Sequence, residues 1–136
     1  MTSSSVDNVA LLRRFFDAFG SGDTAAGFAT LSPDITWTYY GPRDWIPFAG
    51  VFRGHKGVEA FFEIVGASVS LKEMVVESLD ATEDVIYGRG RERSEVKSTG
   101  KEYNVQWSHV YRVREGLIVS FEEFLDTAAV ASAFGR

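Results

Sequence analysis

The stretch from Tyr103 to Asp126, YNVQWSHVYRVREGLIVSFEEFLD, carries the clearest pattern in the chain. Its two arms alternate apolar and polar residues, the period of a half-buried strand, and the apolar positions are odd-numbered in both. The odd face of the first arm is Tyr103, Val105, Trp107, His109, Tyr111 and Val113; that of the second is Leu117, Val119, Phe121, Glu123 and Leu125. His109 and Glu123 therefore stand among apolar neighbours. A three-residue loop of Arg114, Glu115 and Gly116, with Gly116 left-handed, makes the two odd faces coincide. Trp107 then lies opposite Glu123 and His109 opposite Phe121, which sets His109 and Glu123 on a diagonal of roughly 7–8 Å. A two-residue Glu115-Gly116 turn would put the odd faces on opposite sides, so the apolar match predicts the longer loop.

Working outward, the rest of the chain supplies the other elements. Leu11, Leu12, Phe15, Phe16, Ala18 and Phe19 form a helical stripe over Val6–Phe19, with Ser5 as its cap and Gly20 to Gly22 as its stop. A short second helix follows, capped by Asp23 or Thr24 and ended by Pro33. Ile35, Trp37 and Tyr39 mark a first strand, and Val58, Phe61, Phe62 and Val65 mark a helix over Gly54–Val65, with His55 exposed at its start. Leu71–Leu79 and Val85–Val96 read as strands, and Thr127–Phe134 as a closing helix. Between them, Gly41–Arg53 is too punctuated for regular structure. Trp45 and Phe48 there form a lid over a cavity or plug the edge of the core.

Helices followed by consecutive strands, without a strand-helix rhythm, predict an α+β fold with a largely antiparallel sheet. The 136 residues are expected to form one domain, with 1–5 flexible. In Val85–Val96 the arginines Arg89, Arg91 and Arg93 should face water, as a solvated sheet face or an oligomer rim. That turns Ile86, Gly88, Gly90, Glu92, Ser94 and Val96 inward, and the two glycines leave room beside Glu92 or mark a bend.

Composition excludes several classes of function. A net charge of −5 argues against nucleic-acid or acidic-membrane partners. Without cysteine there are no disulfides, thiolate chemistry or sulfur-ligated metals. No apolar run reaches membrane-span length, and MTSSS lacks a signal-peptide pattern, so a cytoplasmic location is expected. His55 and His109, the only histidines, lie in different elements, so neither a metal site nor a cofactor is expected.

Two helices, then DITWTYYG, PFAGVFRGHKGVEAFF and HVYRVREGLIVSFEEFLDT, together resemble the SnoaL-like branch of the nuclear transport factor 2-like superfamily, over nearly the whole chain. The resemblance implies a curved, mixed, cystatin-like sheet wrapped with N-terminal helices into a cone around an apolar pocket, in a homodimer. It also sorts chemistries. The polyketide cyclase pattern falls on His109 and, with one extra methylene, on Glu123. The limonene-epoxide hydrolase pattern, aligned through Gly100, Lys101, Tyr103 and Asn104, puts Glu123 and Glu92 at its two acids. Its water-holding positions become Trp37 and Tyr39, and its arginine becomes Gly90, which removes the group that orients the acids. The ketosteroid isomerase pattern falls on Phe15, Tyr39 and His109, and a phenol cannot take the place of its carboxylate base.

The expected function is general acid/base chemistry on a small apolar or polycyclic carbonyl compound, of a cyclase or isomerase kind. A carboxylate taken out of water keeps its proton closer to neutral pH, where an acid or base is most useful. Glu123 and His109 are the candidate catalytic pair. Trp37, Tyr39, Trp45, Phe62, Glu92, Trp107 and Phe121 are the candidate pocket. The alternatives are a structurally satisfied His-Glu pair, or a non-catalytic module of the same fold that binds an apolar ligand or dimerises.

Overall fold

Ser4 opens the first helix in the computed structural model, which describes residues 4–136. Its hydroxyl accepts from the Asp7 N–H while the Asp7 carboxylate accepts from the Ser4 N–H, a reciprocal cap that satisfies two of the donors a helix start leaves free. Helix α1 therefore spans Ser5–Ser21, so within the segment expected to be flexible Ser4 is the cap and Ser5 the first helical residue. The remainder of that expected segment, residues 1–3, lies outside the described residues. Helix α2 is Thr24–Phe28, capped by Asp23, and strand β1 follows at once as Leu31–Tyr39. Pro33 thus sits within β1 and does not end the helix. The register of β1 is irregular between Leu31 and Thr36, the kind of break at which a strand tolerates proline.

After β1, residues 40–49 carry no regular element, and β2 then spans Gly50–Arg53. The punctuation of Gly41–Arg53 had concealed this strand, which pairs antiparallel with β1. Helix α3 is Gly54–Ser68, β3 Val69–Ala81, β4 Val85–Val96, β5 Glu102–Arg114, β6 Leu117–Leu125 and α4 Thr127–Ala133. The strands form a six-stranded sheet in the order β2-β1-β6-β5-β4-β3. Every pair is antiparallel except β1 with β6. Register shifts in β3–β4, β1–β6 and β5–β6 bend this unclosed sheet, and a bent sheet presents a concave face.

The helices fill that face with an aromatic core. Leu11, Leu12 and Phe15 of α1 and Val58 and Phe61 of α3 are buried beneath it. The Phe15 ring meets Trp37 at 6.1 Å and Tyr111 at 5.9 Å, and Phe61 meets Trp37 at 5.6 Å. Asn8, fully buried, donates to the carbonyls of Thr82 and Glu83, so the start of α1 is fastened to the β3–β4 turn. His55 is half-buried rather than exposed. Its Nε2 lies 3.0 Å from the Leu31 carbonyl and its ring faces Phe28, so it ties α3 to the start of β1.

The β5–β6 turn differs from its expected form. Arg114 pairs with Leu117 across a two-residue Glu115-Gly116 turn, with φ of 53° and 76°. Two consecutive left-handed residues match the right-handed twist of the flanking strands. Such a turn alone would set the odd faces apart, and a bulge corrects this. Arg112 pairs with Ser120 but Val113 with Ile118, which leaves Val119 as the extra residue. Ile118 consequently takes the buried place expected of Val119, while Phe121 and Glu123 still face inward. Glu123 now stands directly opposite His109, and Phe121 opposite Tyr111. The pair is adjacent, not diagonal.

Candidate active site

His109 and Glu123 are carried on neighbouring central strands, and the register brings their side chains together. His109 Nε2 lies 3.2 Å from Glu123 Oε2, with the side chains 4% and 9% exposed. The contact falls outside hydrogen-bond geometry, so Nε2 has no hydrogen-bond partner among the described residues. On its other side, Nδ1 lies 2.6 Å from the buried Tyr111 hydroxyl. A bare nitrogen lone pair facing a carboxylate would be repelled. This assigns the ring proton of neutral His109 to Nε2, with Tyr111 donating to Nδ1. The Tyr111 phenol is suited to that part, because complete burial, and then the charge of Glu123, push its pKa well above the ordinary value.

The imidazole is clamped from above and below. Trp107 stacks on it at 3.9 Å and 15°, and Phe121 meets it edge-on at 4.7 Å. Trp107 can lie flat there because β4 passes beneath it as glycine. A Cβ on Gly90 would come within 2.2 Å of Trp107 Cζ2 and 2.0 Å of the Val75 carbonyl oxygen. One on Gly88 would lie 3.5 Å from Trp107 Cζ3. The space expected beside Glu92 is thus occupied by the indole, which fixes the plane of His109.

Glu92 faces inward, as the outward arginines required. Arg91 meets Glu73 at 2.7 Å and Arg93 meets Glu102 at 3.3 Å on the other face. Glu92 Oε2 accepts from Ser94 Oγ at 2.6 Å and from the Tyr103 hydroxyl at 3.1 Å. Although Glu92 retains some exposed area, burial is the largest influence and raises its pKa, and the charge of Glu123 acts the same way. The two hydroxyls oppose them without prevailing. Tyr39 pairs with Glu123 across β1–β6 and is 4% exposed. Burial, then Glu123, Tyr103 and Glu92, push its pKa far up, so Tyr39 is a neutral phenol within the field of both carboxylates.

Trp37, Tyr39, Trp107 and Phe121 are buried around the pair, and Phe62 is half-buried against Trp37 at 5.6 Å. Trp45 is not among them. It is 51% exposed, while its loop neighbours Ile46 and Phe48 enter the core. The loop therefore plugs the core edge through Phe48 and turns Trp45 to solvent. Surface clefts lie beside α1 and α2, between α1 and β3, and on the outer side of β4–β6 near Arg89 and Gln106. Neither His109 nor Glu123 lines any of these three. The Nε1 atoms of Trp37 and Trp107 are buried without a hydrogen-bond partner.

Three participants had no assigned role in the sequence: Tyr111, Ser94 and Tyr103. The signal for two of them was present, since His109/Tyr111 and Glu92/Ser94 are each two residues apart on one strand and share a face. Tyr103 reaches Glu92 across the β4–β5 ladder, and only the register reveals that contact. Among the described residues no cluster of three or more His, Cys, Asp or Glu is placed to hold a metal, and no helix is long and apolar enough to cross a membrane.

A family model described as SnoaL-like domain matches residues 12–121, so the chain belongs to the SnoaL-like family of the nuclear transport factor 2-like superfamily. Among solved structures, an NTF2-like protein from Burkholderia xenovorans LB400 is 30% identical with a TM-score of 0.88. The match covers 96% of this chain and 98% of that one. TerC, co-crystallised with polyporic acid, is 17% identical with a TM-score of 0.85, over 96% and 99% of the two chains. A Jannaschia sp. CCS1 protein provisionally designated a SnoaL-like polyketide cyclase is 17% identical with a TM-score of 0.81, over 100% and 96%. At such identity the last two establish the fold alone. No functionally curated protein matches the chain.

Proposed function

We propose that the protein is a SnoaL-like enzyme that moves a proton on a small, neutral, apolar or polycyclic carbonyl compound, in a cyclase or isomerase type of reaction. The observation that carries this reading is the buried His109–Glu123 pair, 3.2 Å apart on facing central strands. Glu123 is the base for a carbon-bound proton next to the carbonyl, and the 9% of its side chain left accessible is where the substrate carbon approaches. His109, with its proton on Nε2 and its plane held by Trp107, orients the carboxylate. Beside the pair stand aromatic rings and a second carboxyl group, that of Glu92, and among the described residues the buried ionisable groups include no lysine or arginine. That lining favours a neutral substrate over an anionic one. TerC, a relative in fold, was co-crystallised with polyporic acid, a small molecule.

Solvent-deuterium exchange at the carbon next to the carbonyl, followed by NMR over a panel of enolisable polycyclic ketones, tests the reading. The wild type should accelerate exchange on at least one of them. Glu123→Gln and His109→Ala should each reduce that rate by roughly 10²- to 10⁴-fold. Unchanged rates in both variants would remove the pair from the mechanism. Should ligand affinity persist in Glu123→Gln with no exchange in the wild type, the protein is a binding module.

We further infer a homodimer formed through the outer side of the sheet. Tyr40, Tyr87 and Phe124 are exposed there at 44%, 50% and 43%, and Tyr40 stacks on Phe124 at 4.9 Å. Large aromatics left in water on a sheet face favour a partner surface.

A further inference from the structure

We propose that the inner face of β3 is a substrate-binding shelf: Leu71, Met74 and Val76 hold the far rings of a polycyclic compound whose reacting end lies at Glu123. This rests on the proton-transfer reading above and deepens its substrate class, from any small carbonyl compound to an extended polycycle.

Register builds the shelf. Ladder partners stand on the same side of a sheet. Leu71 pairs with Ser94, Met74 with Glu92, Val76 with Gly90 and Leu79 with Gly88, all inward positions of β4. A plain two-residue repeat could not achieve this, because Leu71 and Met74 are three residues apart, as are Val76 and Leu79. The register shifts between Leu71 and Glu73 and between Val76 and Ser78 leave Lys72 and Glu77 as extra residues. Each bulge therefore returns the next apolar side chain to the inner face. The ends of this stripe are covered. Val69, which directly follows α3, is buried, and Leu79 is half-buried near the turn that Asn8 of α1 holds. Between them Leu71, Met74 and Val76 are left 59%, 39% and 37% exposed.

The bare stretch is continuous with the acid/base pair. Val76 is the ladder partner of Gly90, against which the Trp107 indole lies, and Trp107 stacks on His109. From β6, which carries Glu123, to β3 is three strand spacings of about 4.8 Å, roughly 14 Å along the sheet. A single ring held at Glu123 falls short of the shelf, whereas several fused rings reach it. The shelf positions carry no charge. Lys72 and Glu77 are kept out of the inward ladder positions, and Lys72 lies 3.9 Å from Glu95. An apolar surface of this kind suits hydrocarbon rings rather than a charged peptide. The pairing of two copies inferred above uses the outer side of the sheet, so it leaves this face free.

Pyrene, neutral and polycyclic, is a suitable probe, because its emission bands report transfer out of water. The wild type should bind it. Met74→Glu and Val76→Glu should each weaken binding by at least roughly 10-fold, since the rings would strip water from a carboxylate, while Met74→Leu should retain the affinity. The substituted positions are partly exposed, and cooperative melting of each variant confirms that it is folded. In the deuterium-exchange assay, Met74→Glu should raise KM for a polycyclic ketone roughly 10-fold more than KM for cyclohexanone, with kcat for the polycycle little changed. Equal pyrene affinity in the wild type and both Glu variants, or no pyrene binding at all, overturns the shelf and leaves the Glu123 reading intact. Pyrene binding that the Glu variants lose, in a protein that exchanges no ketone, supports the shelf while the proton-transfer reading fails. A sedimentation mass halved by Met74→Glu would assign this face to a second copy of the chain and overturn it as a substrate surface.

Discussion

Glu92 is the side chain whose surroundings are most legible in energetic terms. Burial and the neighbouring Glu123 raise its pKa above 4.5, and the Ser94 and Tyr103 hydroxyls offset only part of this. Just above pH 4.5 the folded chain keeps a proton that the unfolded chain has lost. The stability this contributes is present in full at low pH and disappears as pH rises through the folded value. Gln accepts the same two hydroxyls but never ionises. The expected outcome for Glu92→Gln is a melting temperature that gains on the wild type as pH rises from acid to neutral. A difference between the two melting curves that stays constant with pH would show that Glu92 has no raised pKa. His109 offers a different lesson: its place on the apolar face was readable from alternation, but its tautomer follows from Tyr111 and Glu123, one two residues away and the other across the sheet.

Strands β4 and β6 show how single residues set an element's course. Gly90 exists as glycine because Trp107 and the Val75 carbonyl occupy the place of a Cβ. In Gly90→Ala the indole has to leave its stack on His109 or the β3–β4 ladder has to open. Overpacking of this kind costs about 1–3 kcal/mol, and contact with backbone leaves little room for relief, so a loss of at least about 2 kcal/mol in urea unfolding is expected. A loss below about 0.5 kcal/mol would mean that the sheet yields easily there. In β6 the extra residue Val119 reconciles a two-residue turn with an inward Glu123. Deleting Val119 should remove the bulge and leave Ile118 opposite Val113 and Ser120 opposite Arg112 in a regular ladder, so Phe121 and Glu123 stay inward and the cooperative unfolding transition is kept. Deleting Phe121 instead moves the residues after it by one place and exchanges their inner and outer faces, so that transition should be lost. Loss of cooperative unfolding in the Val119 deletion would refute its place as the extra residue of the ladder. The periodicity of β5, β4 and α3 was visible from spacing alone, whereas β2 was hidden, being only Gly50–Arg53 within a loop full of glycine and proline.

The whole molecule is a bent sheet with one side packed by helices and the other open. Its open side carries ion pairs such as Arg91–Glu73 and Arg93–Glu102, whose exposed charges are worth little individually, and the aromatic group of Tyr40, Tyr87 and Phe124. Sedimentation equilibrium should therefore give about twice the 15.1 kDa chain mass, falling towards one chain in Phe124→Glu. A 15.1 kDa species at every concentration would rule out the proposed pairing. The α+β order of elements, the inward face of β5 and the identity of His109 and Glu123 as interior ionisable groups were readable from the chain, whereas the mixed alternation of β4 left the facing of Glu92 open. Each depends on local spacing, because a strand repeats every two residues and a helix every 3.6. Tertiary structure alone decided that His109 meets Glu123 directly, that Trp107 fills the room left by Gly90, that Tyr103 holds Glu92 and that Trp45 faces solvent. Those outcomes depend on register between strands and on which ring takes a given space. A one-residue bulge changes the register while leaving the alternation on either side of it intact.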